Sequence, residues 1–388
     1  MRRADAAERE RLHALFGELC AIRSVTGEER AIADRVTAEL TGLGLAVHED
    51  GTAAETGLGS GNLLVRIPAA HPTDRSVGLC AHLDTVPHDG VVEPVRVDGG
   101  WESAGETILG ADNKAALAVL LVAARRLVAE GAPVGVELLL TAGEETALLG
   151  ASAFDVSTLR CDLGYVYDHA SPIGEIALAS PTYYRIEGHF LGAAAHAGIR
   201  PETGRSAVRA AARAIVAMPH GRLDDQTTAN AGHVRGGPAG ATNVVPEHAT
   251  VLAEVRSLDA ARAEEVVGQV VDAFHDAAND PDAPCDLDLQ VARLFAGYRQ
   301  APDLPAVRIA EEALRACGYA PRHIVTGGGT DANAIIAAGG PPFVNLANGT
   351  ERNHQTSERV SDQALEDMLD LTFALLDAAA DPRFAPEA

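Results

Sequence analysis

The chain has 388 residues, 47% hydrophobic and 22% charged, which is ordinary for a soluble protein and long enough for two domains with cores of their own. Acidic residues outnumber basic ones by 55 to 31, and the net charge of −24 repels nucleic acid and anionic membrane surfaces. Five scattered cysteines with no C-x-x-C argue against a disulfide framework or a zinc knuckle and fit a reducing compartment.

The N-terminal "MRRADAAERERLHALF" lacks the apolar core of a signal peptide and reads as a helix. "SVGLCAHLD" (76–84) reads as a strand and "AALAVLLVAARRLVAE" (115–130) as a helix. The latter is the best candidate for a membrane span, but Arg125 and Arg126 interrupt it, so a cytoplasmic protein is expected. "VGVELLLTAG" (134–143) and "LGYVYD" (163–168) are two more strands. After residue 296 the alternation returns: a helix over "LPAVRIAEEALRACG", a Gly-rich turn, the strand "PPFVNLA" and a long terminal helix. Short apolar strands separated by helices imply an α/β domain whose mixed, mostly parallel sheet is covered by helices.

Between these blocks the rhythm changes to β-α-β-β-α-β. Strands are expected at 181–192, over "TTANAGHVRGG", over "HATVLAEVRSL" and over "CDLDLQVARL", with helices at 205–218 and 261–278. This is the ferredoxin-like order. The catalytic domain is therefore expected to be discontinuous, 1–176 and 296–388, with an α+β lid domain inserted at 177–295.

In open α/β sheets ligands collect beyond the carboxyl ends of the strands. Those ends carry His82 and Asp84 in "HLDT", Glu144 and Glu145 in "TAGEET", Asp168 in "YVYDHA" and His354 in "NGTERNHQ", while Asp112 in "GADNK" precedes a helix. Singly, each reads as a capping carboxylate or a structural histidine. Together, two imidazoles and several carboxylates suit a pair of borderline divalent ions, since a carboxylate can bridge two metals about 3.5–4 Å apart. With no cysteine among them the set fits zinc, cobalt or manganese. Asp84 lies two residues past His82, on the same side of an extended segment, and is placed to accept the imidazole N–H.

H-x-D-T, G-A-D-N-K, the G-E-E after a strand, the later Asp and the late His together resemble the dinuclear zinc exopeptidases, the family of peptidase T, carboxypeptidase G and aminoacylase. The resemblance covers the whole chain. It implies that His82, Asp112 and Asp168 hold one metal and that Asp112, Glu145 and His354 hold the other, Asp112 bridging. It implies that Glu144 is the general base, Asp84 the partner of His82, and the Asp112–Asn113 peptide bond cis. The lid motif "FLGAAAHAGIRPETGRSA" implies that His196 stabilises the oxyanion; Asn243 and Arg256 match lid positions that contact substrate. "TGGGTDAN" lacks the G-K-[ST] ending of a phosphate loop. In this family it lines the substrate pocket, which makes Gly328, Gly329 and Asp331 backbone-level substrate contacts. His88 and His169 match no role.

The "ADNK" form resembles the peptidase T branch, whereas carboxypeptidase G and aminoacylase more typically carry D-M-K-G. Ala115 and Ala116 stand where relatives often have a glycine. The implied activity is an aminopeptidase on short peptides, most simply tripeptides, with two divalent ions, zinc foremost. A carboxypeptidase or N-acyl-amino-acid amidohydrolase on the same scaffold is the alternative, and an inactive peptide-binding protein a remote one. Some family members pair through the lid, which leaves a homodimer open.

Overall fold

The computed structural model describes residues 3–73 and 75–384. Met1 and Arg2, counted in the expected N-terminal helix, lie outside the described residues; the helix runs Ala6–Ala21, capped by Asp5 and Glu8 in a capping box. The chain divides into two units, one of residues up to Ala179 and from Arg299 onward, the other Ser180–Tyr298. The strand Glu175–Ser180 joins the large sheet, so the second unit starts at Ser180 where the sequence suggested 177.

Among the described residues the large sheet of the first unit has nine strands. Four central neighbours, Gly135–Thr141, Ser76–His82, Leu163–His169 and Phe343–Ala347, run parallel in that spatial order. They are almost wholly buried, as continuous apolar runs such as "GVELLLT" and "FVNLA" require when helices cover a sheet. Leu63–Ile67 is antiparallel to Gly135–Thr141, and Val47–Glu49 pairs beyond it. The helix Ala111–Glu130 is apolar on nearly every side and packs on the Ser76–His82 strand and the helices Ala6–Ala21 and Asp362–Ala379.

A four-stranded sheet in this unit escaped the sequence reading. It joins Thr350–Glu351, Arg359–Ser361, Gly100–Ser103 and Pro94–Val97. Its strands are two to four residues long and carry no period-2 signal long enough to read.

In the second unit the sheet is antiparallel throughout. Thr227–Gly236, His248–Ser257, Thr182–Leu191 and Asp286–Phe295 follow one another across it, and the short strand Gly221–Asp224 flanks Thr227–Gly236. Numbered along the motif this order is 2-3-1-4, the ferredoxin-like arrangement. The helix Ala207–Ala217 buries Ala207, Ala210, Ala211 and Ala214, a stripe at helical spacing, against this sheet. The helix Ala260–Ala278 packs beside it through Val266, Val270 and Phe274.

At the centre of the large sheet two glycines make room for one ring. Gly78 and Gly164 are paired across neighbouring strands, and a Cβ at either would stand about 2.5 Å from the Phe343 ring. Gly164→Ala should therefore destabilise the protein by about 1–3 kcal/mol, the usual cost of overpacking a core. Phe343→Leu should recover part of that loss in the double mutant, a coupling readable by denaturant unfolding of the single and double variants.

Candidate active site

The carboxyl ends of the parallel strands converge. His82 closes its strand, Asp168 lies one residue from the end of the next, and Glu144 and Glu145 follow the Gly135–Thr141 strand after a turn at Gly143 (φ 68°). Asn345, on the strand beside Asp168, accepts from the Asp168 N–H and donates to its carbonyl, each at 3.0 Å. That reciprocal pair fixes where the Asp168 carboxylate leaves the sheet.

Asp112 sits at the centre. The peptide bond to Asn113 is cis, as the sequence resemblance implied, and both residues leave helical geometry within the first turn of the long helix. Asp112 Oδ1 lies 3.2 Å from His82 Nε2, and Oδ2 lies 3.3 Å from His354 Nε2. Each oxygen thus faces a different imidazole. His354 Nε2 is also 3.0 Å from Glu145 Oε1, a buried atom to which it is not aligned as a hydrogen bond.

Two groups of metal-ligating atoms follow from this geometry. His82, Glu144 and Asp168 bring ligand atoms within 4.8 Å of one another, as do His82, Asp112 and Glu145. The two adjacent glutamates share His82 but differ in their other neighbours: Glu144 groups with Asp168, whereas Glu145 groups with Asp112 and lies 3.0 Å from His354.

Asp84 is fully buried. Its carboxylate stands 3.4 Å from His82 Nδ1, but the nearer acceptor there is the Asp84 carbonyl at 3.0 Å. The carboxylate instead collects the N–H groups of Glu144 (3.0 Å) and Glu145 (3.2 Å) and the Thr26 hydroxyl (2.6 Å). Asp84 therefore aims the glutamate turn as well as the imidazole. Two acceptors at Nδ1 hold a proton there and leave Nε2 turned toward Asp112.

The electrostatics are those of crowded carboxylates. Burial, then the neighbouring Asp168, pushes Glu144 well above the ordinary range; burial, then Asp112, does the same to Asp168. Burial also raises Glu145, against the pull of His354. For His82, burial opposes protonation, but Asp112 and Asp84 prevail and hold it well above its usual value. Contacts with Asp112 and Glu145 raise His354 to about 10. Such a set has the donor chemistry of a divalent cation site.

The other expected residues stand outside these two groups. Asp331 is buried beside the site: its Oδ2 accepts from Thr141 and Cys80, its Oδ1 has no hydrogen-bond partner, and its charge is felt by Glu144 and Asp168. Burial, more than anything else, raises it to about 6. Gly328, whose N–H donates to Thr326 Oγ1, and Gly329 are half-buried in the loop before the helix Asp331–Ala337. In the second unit, His196 is exposed on a short strand paired with Val244–Val245, and Ala197 N–H donates to the Asn243 carbonyl, which makes those two neighbours. The Arg256 guanidinium lies 4.0 Å over the Tyr183 ring and pairs with Glu254.

Sequence reasoning missed the supporting groups. Asn353 donates to Asp112 Oδ2 at 2.9 Å, and Glu358 accepts three backbone N–H groups of the turn that carries Asp112. Thr26 holds Asp84 from a segment with no motif. Each was an ordinary polar residue in a polar stretch; only the spacing of Asn353, directly before His354, and of Glu358, four residues after it, set them near the site.

A family model for the peptidase dimerisation domain matches residues 182–281, and one for peptidase family M28 matches residues 62–165. The chain is 37% identical to an uncharacterized Bacillus subtilis protein, YqjE, over 96% of its own length and 99% of that protein's. Among solved structures it is similar to the aminopeptidase PepT of Bacillus cereus (37% identity, TM-score 0.85, 96% of this chain and 99% of that one). It is similar also to a tripeptidase of Staphylococcus aureus (32% identity, TM-score 0.88, 96% and 98%). With its site on the strand ends that the motifs marked, the chain belongs to the exopeptidase family of peptidase T, carboxypeptidase G and aminoacylase, in its peptidase T-like branch.

Proposed function

We propose that the protein is a metal-dependent aminopeptidase that removes the N-terminal residue of tripeptides. The carrying observation is Asp112, whose two oxygens face two different imidazoles at 3.2 and 3.3 Å with further carboxylates on either side. That is the arrangement of a bridging ligand. His82, Asp112 and Asp168 would hold one divalent ion, and Asp112, Glu145 and His354 the other, with zinc first among the candidates. Supporting the substrate class is the likeness, over nearly the whole chain, to a PepT aminopeptidase and a tripeptidase.

When bound, such a pair of cations supplies an acidified water and polarises the scissile carbonyl. The chain supplies the rest. Glu144 takes the proton of the attacking water and hands it to the leaving amine, which needs hydrogen-bond reach and no ligation of its own. Asp84, gripping the backbone N–H of both glutamates, keeps the base and its ligand neighbour in fixed relation. His196 in the inserted unit would donate to the oxyanion, a contact worth about 3–4 kcal/mol where single donors have been removed. Asn243, Arg256 and the backbone at Gly328, Gly329 and Asp331 are the proposed substrate contacts. The five free cysteines, three of them buried, fit a cytoplasmic location, and no helix among the described residues is long and apolar enough to cross a membrane. The match to a peptidase dimerisation domain supports a homodimer formed through the inserted unit.

Two measurements test this reading. Glu144→Gln should keep both ions and lose kcat by roughly 10²–10⁴, the worth of a positioned proton-transfer group, with little change in KM. Glu145→Gln should weaken the binding of one ion. Metal analysis and steady-state kinetics on both variants check the assignment, and the reverse pattern would exchange the roles of the two glutamates.

The second concerns the substrate. Free tripeptides should be cleaved from the N-terminus and their N-acetylated forms refused. Faster turnover of N-acyl amino acids than of any unblocked peptide would favour the amidohydrolase reading instead.

A further inference from the structure

His354 reaches the site from a hairpin loop. Thr350–Glu351 pairs antiparallel with Arg359–Ser361, and the loop between them carries Asn353 and His354 at its tip. Two of its residues, Arg352 (φ 57°) and His354 (φ 66°), sit in the left-handed region that non-glycine side chains rarely adopt. Such a conformation costs about 1–3 kcal/mol per residue and persists only where the surroundings determine it. Inside the loop only two backbone bonds close, Gln355 N–H to the Arg352 carbonyl and Glu358 N–H to the Gln355 carbonyl. Most of what fixes the loop must come from outside it.

Two side chains tie it down: Asn353, which donates to Asp112 Oδ2, and Glu358 at the base of the hairpin, the more buried of the two. Glu358 is 1% exposed, and its carboxylate is spent on one target, the turn before the helix Ala111–Glu130. Oε2 accepts the N–H groups of Leu109 (2.9 Å) and Gly110 (2.8 Å), and Oε1 accepts that of Asp112 itself (3.0 Å). The turn can aim three donors at one group because Gly110 takes a left-handed conformation (φ 73°). One side chain therefore joins the segment that carries Asp112 to the segment that carries His354.

We propose that Glu358 is a positioning residue that sets the separation of Asp112 and His354, and with it the affinity for the ion those two residues share. The proposal rests on the metal-centre reading above. It requires that the carboxylate be matched in shape: an amide presents an N–H₂ to a backbone N–H at one of its two ends. Glu358→Gln must therefore give up at least the Asp112 bond or the Leu109–Gly110 pair.

The test uses zinc and the full-length protein stripped by chelation. Calorimetric titration gives the affinity for each ion, and thermal unfolding of the apo protein gives stability. Outer-shell partners of metal ligands typically contribute 10–100-fold in affinity. Glu358→Gln should therefore bind one of the two ions, the one assigned to Asp112 and His354, 10–100-fold less well, and Glu358→Asp, which keeps the charge but shortens the reach, should shift the same affinity in the same direction. Glu137→Gln is the control. That buried carboxylate also accepts two backbone N–H groups, those of Arg160 and Cys161, from a position on the sheet away from the hairpin. It should lower the apo melting temperature and leave both affinities unchanged. If Glu358→Asp, or a folded Glu358→Gln, loses apo stability while both ions bind as in the wild type, Glu358 is merely structural and the proposal is overturned. If the wild type takes up fewer than two zinc ions, the metal-centre reading falls and the proposal falls with it.

Discussion

Four carboxylates and two imidazoles share a few ångströms at the end of a sheet, where burial, repulsion and attraction oppose one another. Left to themselves Glu144, Glu145 and Asp168 would move apart or take up protons, because burial and mutual repulsion disfavour their charges, whereas at Asp112 the two imidazoles outweigh burial and hold the carboxyl low. The backbone closes the first of these escapes. The strands that carry them are parallel, central and buried, so their ends cannot shift without breaking the sheet's hydrogen-bond ladder and its apolar packing. The fold thus holds in place a concentration of negative charge that only cations or protons can balance.

Around this centre the structure repeats one device, a buried acceptor that gathers backbone N–H groups. Asp84 takes those of Glu144 and Glu145, and Glu358 takes those of Leu109, Gly110 and Asp112. Asn345 does the same for Asp168 through its side-chain amide. In each case the group grips main chain, and Asp84 also faces the His82 imidazole. The point from which each functional side chain departs is thereby fixed. Lys114, buried and with its proton affinity lowered by burial to about 8, closes the other side of the Asp112 turn by donating to the Ile22 carbonyl.

How much of this was legible follows from the same division. Residues at the ends of long apolar strands announce themselves, because a run such as "LLLT" or "GYVY" locates the strand and the strand locates the site. His82, Glu144, Glu145 and Asp168 were readable for that reason, and the ferredoxin-like order from its helix and strand periods. Glu358 and Asn353 were not. Their importance comes from a hairpin of two- and three-residue strands, too short for a pattern, and from partners more than 200 residues away. Asp84 was readable as a supporting residue, but not its main work: the contact with the glutamate turn depends on how two loops meet. Asp331 shows the opposite case, a motif residue whose side chain the fold turns inward to Thr141.

The chain order of the site carries a last consequence. The second unit, Ser180–Tyr298, is continuous, whereas the first is completed only by residues after Arg299. His82, Asp112, Glu144, Glu145 and Asp168 are all synthesised before the inserted unit, and His354 and Glu358 long after it. Domains generally fold as units during translation, N-terminal portions first. A nascent chain that has made the inserted unit still lacks the Phe343–Ala347 strand beside Asp168 and the hairpin that clamps Asp112. On the ribosome the cluster of carboxylates and imidazoles therefore cannot be completed until the segment that carries His354 and Glu358 has emerged, after the whole of the inserted unit.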